Sequence, residues 1–292
     1  MNKSKKKLKI HWDTSSLAGT LTVLVVIGIF AALGIGIVFL DKYVRKTTPP
    51  RKTIAIELAD VPYWVNDQLK ELVYTSIDDS SVSKLDENTA VLARENIVQR
   101  IAWLADVTVQ TTHNGLRIAG RWRKPLAIVK SGLRKSYVDD EQVVLDFLPM
   151  PTLPIVEVKG LTPMTKIPQP GEVWQRDDLA AAVAIISRLD RMDELTTPGK
   201  PLLYEIDSIN VSNSNGRKST SQPHVVLHTK DGTEVIWGAE LGAWAQHLEA
   251  TDEDKLAKLY GYYKEYGSLE GRAKYINLRD PQDKIPLPID KY

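Results

Sequence analysis

From Leu17 to Leu40 the chain reads LAGTLTVLVVIGIFAALGIGIVFL, 24 positions without a charge. At about 1.5 Å per residue a helix of this length spans roughly 36 Å, enough to cross a hydrocarbon core of about 30 Å with some tilt. The run is longer than a signal-peptide core and no A-x-A-like site follows it, so it predicts a membrane anchor rather than a cleaved leader. Gly28, Ala32 and Gly36 recur every four residues and set a small-residue stripe on one face. Such a stripe suits close helix–helix packing, although small residues are also simply common in membrane helices.

Beyond Leu40 the pattern changes. DKYVRKTTPPRKT (41–53) is a charged linker with two prolines. Ile54, Ile56 and Leu58 alternate with polar neighbours and predict a strand. A helix is expected from about Trp64, with Val65, Leu69, Leu72 and Val73 on its buried face. A Ser/Asp-rich break leads to a second helix, with Asp86 as its cap and Ile97, Ile101 and Leu104 as its stripe. VTVQ and LRIAG return to period two, with Asn114-Gly115 as the turn between them. KPLAIV is a further strand, and Pro125 confines it to a sheet edge or to the start of a strand.

The rest alternates between strand and helix. SYVDDEQVVLDF predicts a hairpin turning at Asp139–Gln142, and LPIVEVKG a strand stopped by glycine. A helix follows with Leu179, Val183, Ile186 and Leu189 on one face. YEIDSINVS, HVVLHT and TEVIWG are strands, the last two joined by Lys230-Asp231-Gly232. Thr251 and Asp254 stand in capping-box spacing before a last helix with Leu256, Leu259, Tyr260 and Tyr263 on its apolar face. Gly267 stops that helix. YINLR (275–279) then reads as a short strand, ended by Pro281.

Charge sharpens the anchor reading. The net charge is +1, but residues 1–52 hold ten Lys/Arg and two Asp, leaving 28 basic against 35 acidic residues in the remainder. The positive charge flanks the apolar run, which points to a membrane surface. The acidic remainder argues against nucleic acid. Basic residues stand on both sides of the run in equal number, so charge does not set the orientation. The chain has no cysteine, which excludes disulfides, thiolate nucleophiles and Cys-based zinc sites.

Candidate chemistry is sparse. His224 and His228 are four apart, but on a strand at about 3.3 Å per residue they stand roughly 13 Å apart, unsuited to one metal. They read as surface or hairpin histidines. Asp139-Asp140-Glu141 reads as a solvated turn, and Asp252-Glu253-Asp254 as a helix first turn favoured by the dipole. Phosphate-loop, nucleophile-elbow and H-E-x-x-H motifs are absent from the sequence. The expectation is a non-enzyme with no catalytic, cofactor or metal site and no small-molecule substrate.

Four stretches carry a resemblance. LRIAGRWRKPLAIV is similar to the strand pair of the FtsQ/DivIB cell-division family that ends in a Pro-Leu/Val-Ala turn. SYVDDEQVVLDF resembles its V-D-x-x-G-V-V-F hairpin, LPIVEVKG its L-P-x-I-x-G, and KLAKLYGYYKEYG with KYINLR its last helix leading into Y-I-D-L-R. Gln142 stands where the family turn has glycine and Asn277 where it has aspartate. Gly120, Arg121, Trp122 and Arg123 replace a frequent Val/Glu-Arg pair, and an extra segment lies near 239–249.

The resemblance implies an α+β protein. A cytoplasmic basic tail (1–16) precedes a single N-terminal transmembrane helix (17–40) and a linker (41–52). A small β-α-α-β-β POTRA-like domain (53–130) follows, then a β-rich domain with two flanking helices (131–292). It implies a single-pass protein of the bacterial inner membrane at the division septum, with the C-terminal domains extracytoplasmic. Its role would be a scaffold of the divisome, with FtsB- and FtsL-like proteins and the septal peptidoglycan synthase complex as partners and no cofactor. The family receives FtsB by strand addition at the last strand, here Tyr275, Ile276, Asn277, Leu278 and Arg279. An edge strand suits this because its unpaired amides accept another strand. Tyr275, Asn277 and Arg279 would face one side and Ile276 and Leu278 the core, with Arg279 available to a partner carboxylate. The same strand could instead only close its own sheet. Trp237, Trp244, Tyr260, Tyr262 and Tyr263 read as core or as an adjoining apolar patch. Two rival readings remain, a POTRA-containing transport or secretion accessory and a membrane-anchored sensor.

Overall fold

The computed structural model describes residues 55–77, 87–163, 167–271 and 273–281. The anchor, the Gly28–Ala32–Gly36 stripe, the linker and the Asp86 cap lie outside them. Among the described residues no helix is long and apolar enough to cross a membrane. These residues form an α+β structure with four α-helices and two sheets.

The first sheet is built from β1 (Ala55–Leu58), β2 (Leu104–Thr111) and β3 (Gly115–Trp122). Its order is β1-β3-β2, with β1 parallel to β3 and β2 antiparallel to it. Helices α1 (Asp67–Ser76) and α2 (Glu87–Arg100) lie between β1 and β2 in sequence. Asn66 starts α1 by accepting the Leu69 N–H at 2.9 Å, satisfying one orphan donor of the first turn. Leu69, Val73 and Ile97 are buried as the helical period predicts, whereas Leu72 is exposed. Ile101 and Leu104 are also buried, but beyond the end of α2, and Leu104 opens β2. Gly115 is more than a turn residue. A Cβ there would stand 1.7 Å from the Ala55 carbonyl oxygen, so only a bare backbone lets β1 approach β3.

The second sheet comprises β4 (Ala127–Ser131), β5 (Arg134–Val138), β6 (Val144–Asp146), β7 (Val156–Lys159), β8 (Ile206–Asn210), β9 (Val225–Thr229), β10 (Glu234–Gly238) and β11 (Tyr275–Asn277). Its eight strands lie in the order β11-β10-β9-β8-β7-β4-β5-β6. β4, read from the sequence with the first unit, pairs here with β5 and β7. Pro125 precedes it and removes no ladder donor. A tight turn joins antiparallel β9 and β10, and a longer loop joins β8 and β9. Parallel neighbours need a crossover; β5 and β6 lie between β4 and β7, and the two long helices supply the other two. α3 (Asp177–Thr196) lies between β7 and β8, and α4 (Asp252–Tyr266) between β10 and β11. This is why the last strand returns beside β10 in parallel.

The core lies under these crossovers. Leu179, Val183, Ile186 and Leu189 of α3 and Leu256, Leu259, Tyr260 and Tyr263 of α4 join Val158, Ile209, Leu227, Trp237 and Ile276 in one apolar cluster. Trp237, Tyr260, Tyr262 and Tyr263 are therefore core residues, while Trp244 is half-buried. At the start of α4, Thr251 accepts the Asp254 N–H at 3.1 Å, and Gly267 ends the helix at φ +73°. Tyr260 donates to Asp193 Oδ1 and to the Leu189 carbonyl, both at 2.9 Å, which pins α4 to α3.

The Asp139 turn departs from its reading as a solvated loop. Asp139 is fully buried and accepts the N–H groups of Glu141 at 3.0 Å and Val143 at 2.7 Å. Its other oxygen meets Arg123 at 2.5 Å, and Glu141 binds both Arg123 and Arg121. Burial pushes the Asp139 carboxyl above its ordinary range despite Arg123 and the Val143 amide. Gln142 occupies the left-handed region at φ +62°, the conformation that glycine takes most readily. Together with the edge-on pair Trp103–Tyr137 (6.0 Å) and Lys124–Asp190 (2.6 Å), this cluster fastens the connection between the two sheets.

Candidate partner-binding edge

An eight-stranded open sheet has two rims, and this one treats them differently. At the β6 rim the outward backbone is occupied at Val144. Val144 donates its N–H to the Glu172 carbonyl at 2.9 Å and accepts the Gly171 N–H at 2.8 Å. Trp174 donates to the Gln142 carbonyl at 2.8 Å, and Val143 bridges Val173. At the β11 rim, among the described residues, only β10 pairs with the strand.

The register decides which amides are left. Glu234 faces Tyr275, Val235 faces Ile276 and Ile236 faces Asn277. Glu234 donates to the Lys274 carbonyl at 3.1 Å, and Leu278 donates to the Ile236 carbonyl at 3.0 Å. In a parallel ladder with these bonds the N–H and C=O of Ile276 turn inward to β10. The N–H and C=O of Tyr275 and Asn277 turn outward. Among the described residues, the outward rim therefore offers two donors and two acceptors.

Side chains follow the alternation. Ile276 and Leu278 are 0% exposed and sit in the core, whereas Tyr275 is 38% exposed. Asn277 and Arg279 are half-buried. Asn277 folds its side chain forward so that Oδ1 accepts the Arg279 N–H at 3.0 Å, while Nδ2 reaches Asp280 at 3.3 Å. Arg279 is engaged within the chain: its Nε donates to Glu249 Oε1 at 2.8 Å. The guanidinium is thus held at Nε from within the chain, while its side chain stays partly exposed.

Glu249 is the residue sequence reasoning missed. It comes from the extra segment and is buried with Lys255, whose Nζ donates to Glu249 Oε2 at 2.7 Å. The Ala239 N–H donates to the same oxygen at 2.8 Å. Burial pushes the Glu249 carboxyl up, but hydrogen bonds from Lys255, Ala239 and Arg279 outweigh it and hold the group below its ordinary range. Lys255 also lies over the Trp237 ring at 5.6 Å. A lysine at the start of an amphipathic helix reads as a solvated residue, so no sequence signal separates it from its neighbours.

One histidine also differs from expectation, whereas His228 lies half-buried in the β9–β10 hairpin as read. His224 is buried, with Nδ1 2.7 Å from Glu240 Oε2 and its ring edge-on to His247 at 4.6 Å. Glu240 further accepts the Asn215 N–H at 2.7 Å, so it ties two loops together. Among the described residues no group of three or more acidic or histidine side chains is arranged to hold a metal.

The chain matches no protein-family model and no curated protein.

Proposed function

We propose that this protein is a non-enzymatic, membrane-anchored scaffold of the bacterial divisome. It recruits single-span division proteins of the FtsB and FtsL type by strand addition at β11, and through them regulates septal peptidoglycan synthesis. The observation that carries the reading is the contrast between the rims. One end of the large sheet is covered by its own chain along 142–144, while the other, among the described residues, leaves the Tyr275 and Asn277 amides facing outward. A bare edge accepts a foreign strand through backbone bonds, and the alternating side chains give selectivity. The resemblance to the FtsQ/DivIB family and the apolar run at 17–40 support the membrane setting. In this reading the three-stranded sheet with α1 and α2 is the POTRA domain and the eight-stranded sheet the β-domain.

The test is a photo-crosslinking amino acid placed at position 277 in living cells, with the captured chain identified and a fluorescent fusion imaged. Capture of a single-span division protein and a midcell band are expected. Capture of nothing at 277, with uniform envelope fluorescence, rejects the proposal and returns the transport and sensor readings.

A further inference from the structure

We infer that Glu249 is the positioning residue of the β11 edge: its buried carboxylate, delivered by the 239–249 segment, clasps Arg279 and so holds the last strand on the sheet. Its bearing on recruitment rests on the strand-addition reading; the clasp itself does not.

β11 is only three residues long, so few ladder bonds fasten it. Its far end needs other attachments, and a short run of sequence supplies them. Glu249 takes Arg279 Nε on one oxygen and Lys255 Nζ with the Ala239 N–H on the other. One carboxylate thus joins the end of β10, the first turns of α4 and Arg279, two residues past the edge strand. The next residue adds a second bond, from the Ala250 N–H to the Arg279 carbonyl at 2.7 Å. Lys258, one turn further into α4, donates to the Asp280 carbonyl.

The seat for this carboxylate is built into the backbone. A Cβ at Gly238 would stand 2.2 Å from Glu249 Oε2, and Gly238 has φ +98°, so both space and conformation require glycine there. β10 breaks its register with β9 between Ile236 and Gly238, which turns the chain toward the seat. On the other side Leu248 takes the left-handed region at φ +54°, and the Glu249 N–H donates to the Trp244 carbonyl at 3.0 Å. The segment therefore brings one carboxylate within reach of Ala239, Lys255 and Arg279 together.

Geometry separates positioning from contact. Glu249 is buried and bonds the Arg279 side chain, and it makes no bond to the Tyr275 or Asn277 backbone. Any influence on an incoming strand passes through Arg279 and the placement of β11. Removing the carboxylate alone would leave Lys255 as an uncompensated buried cation and risks unfolding the domain. Two other variants avoid this. Glu249→Gln combined with Lys255→Met removes both buried charges together. Arg279→Met cuts the strand side and leaves the Glu249–Lys255 pair intact.

The experiment is hydrogen exchange on the full-length chain in detergent micelles, without partner. In both variants exchange of the ladder amides of Ile276 and Leu278, read at Leu278, should accelerate about 10- to 100-fold, the scale of losing one charge-assisted hydrogen bond. The amides of β8 and β9 should keep their protection. Arg279→Lys, which retains a cation but not the planar fork, should restore part of the protection. Unchanged exchange at Leu278, or acceleration equal to that of β8 and β9, overturns the clasp. Crosslinking from position 277 in the same variants then tests its bearing on recruitment. Accelerated exchange with diminished capture supports both readings. Accelerated exchange with undiminished capture keeps the clasp and rejects strand addition at this edge.

Discussion

Asn277 Oδ1 accepts the backbone N–H of Arg279 at 3.0 Å, and this bond ends the open rim of the large sheet. An amide that would otherwise face outward is satisfied from within. Beyond it the Arg279 carbonyl is taken by the Ala250 N–H. Among the described residues, the outward groups of Tyr275 and Asn277 are the ones left for the proposed partner strand, which makes position 277 the most informative one to alter.

Proline at two adjacent positions should have opposite effects. Asn277→Pro removes an outward donor and leaves the ladder to β10 intact, so it should cost about 1 kcal/mol of stability from the lost cap while abolishing partner capture. Ile276→Pro removes an inward donor and should lower the melting temperature markedly. Thermal melts with pull-downs of both variants check this; undiminished capture by Asn277→Pro sinks the edge as a recruiting surface.

Ile276→Ala should destabilise the domain by about 2–5 kcal/mol, because its side chain is wholly buried in the apolar cluster and its loss leaves a cavity. Urea unfolding gives the number. A loss below about 0.5 kcal/mol would mean the strand is not docked on the core.

Acid should unfold the protein in a defined window. Burial pushes the Asp178 carboxyl up, but hydrogen bonds from Arg176, Thr162 and Arg217 outweigh this and hold it far below the ordinary aspartate range. A depressed carboxyl contributes stability that is full above the unfolded value of about 3.9 and is lost as pH falls toward the folded one. Glu240 and Glu249 are depressed in the same sense. Urea midpoints should hold from pH 7 to about 5 and fall steeply below about 4. Asp178→Asn should lower stability at pH 7 and flatten that acid slope; an unchanged slope would show that the Asp178 cluster does not set it.

At the alkaline end Tyr263 is pushed up to about 12 by burial and by the Glu205 and Asp193 carboxylates. Its folded value lies above its unfolded value of about 10, so its contribution is complete below pH 10 and declines between about 10 and 12. Phenolate absorbance of Tyr263→Phe against the parent chain, followed with unfolding, should show one late-titrating phenol removed.

Gly115→Ala should release β1 from β3, since the added carbon meets the Ala55 carbonyl oxygen. Overpacking of this kind costs about 1–3 kcal/mol, and hydrogen exchange should rise in β1 before it rises in the large sheet. Equal protection of β1 in the variant would contradict the close approach.

Much of this architecture is legible in the sequence where period and punctuation agree. Leu179, Val183, Ile186 and Leu189 mark α3, and Thr251 with Gly267 bounds α4 closely. The alternation in YINLR separates the buried Ile276 and Leu278 from Tyr275. Pairing across distance leaves no such mark. The stretch AIV at 127–129 looks alike whether it joins the first sheet or the second, and its partners in β5 and β7 are chosen by tertiary packing. Leu72 fits the helical stripe but faces solvent because the stripe is wider than the surface that covers it. Polar side chains are the hardest to place. Asp139, His224, Lys255 and Glu249 read as surface groups, and each is buried because one specific partner compensates its desolvation.

The sealed rim at β6 has a consequence for stoichiometry. A sheet open at both ends can template an endless ribbon, each newcomer exposing a fresh border for the next. Here the stretch Gly171–Trp174 acts as a full stop. A second copy meets that covered stretch at the β6 rim, so copies joined through their β11 rims would close as a pair rather than run on as a fibre.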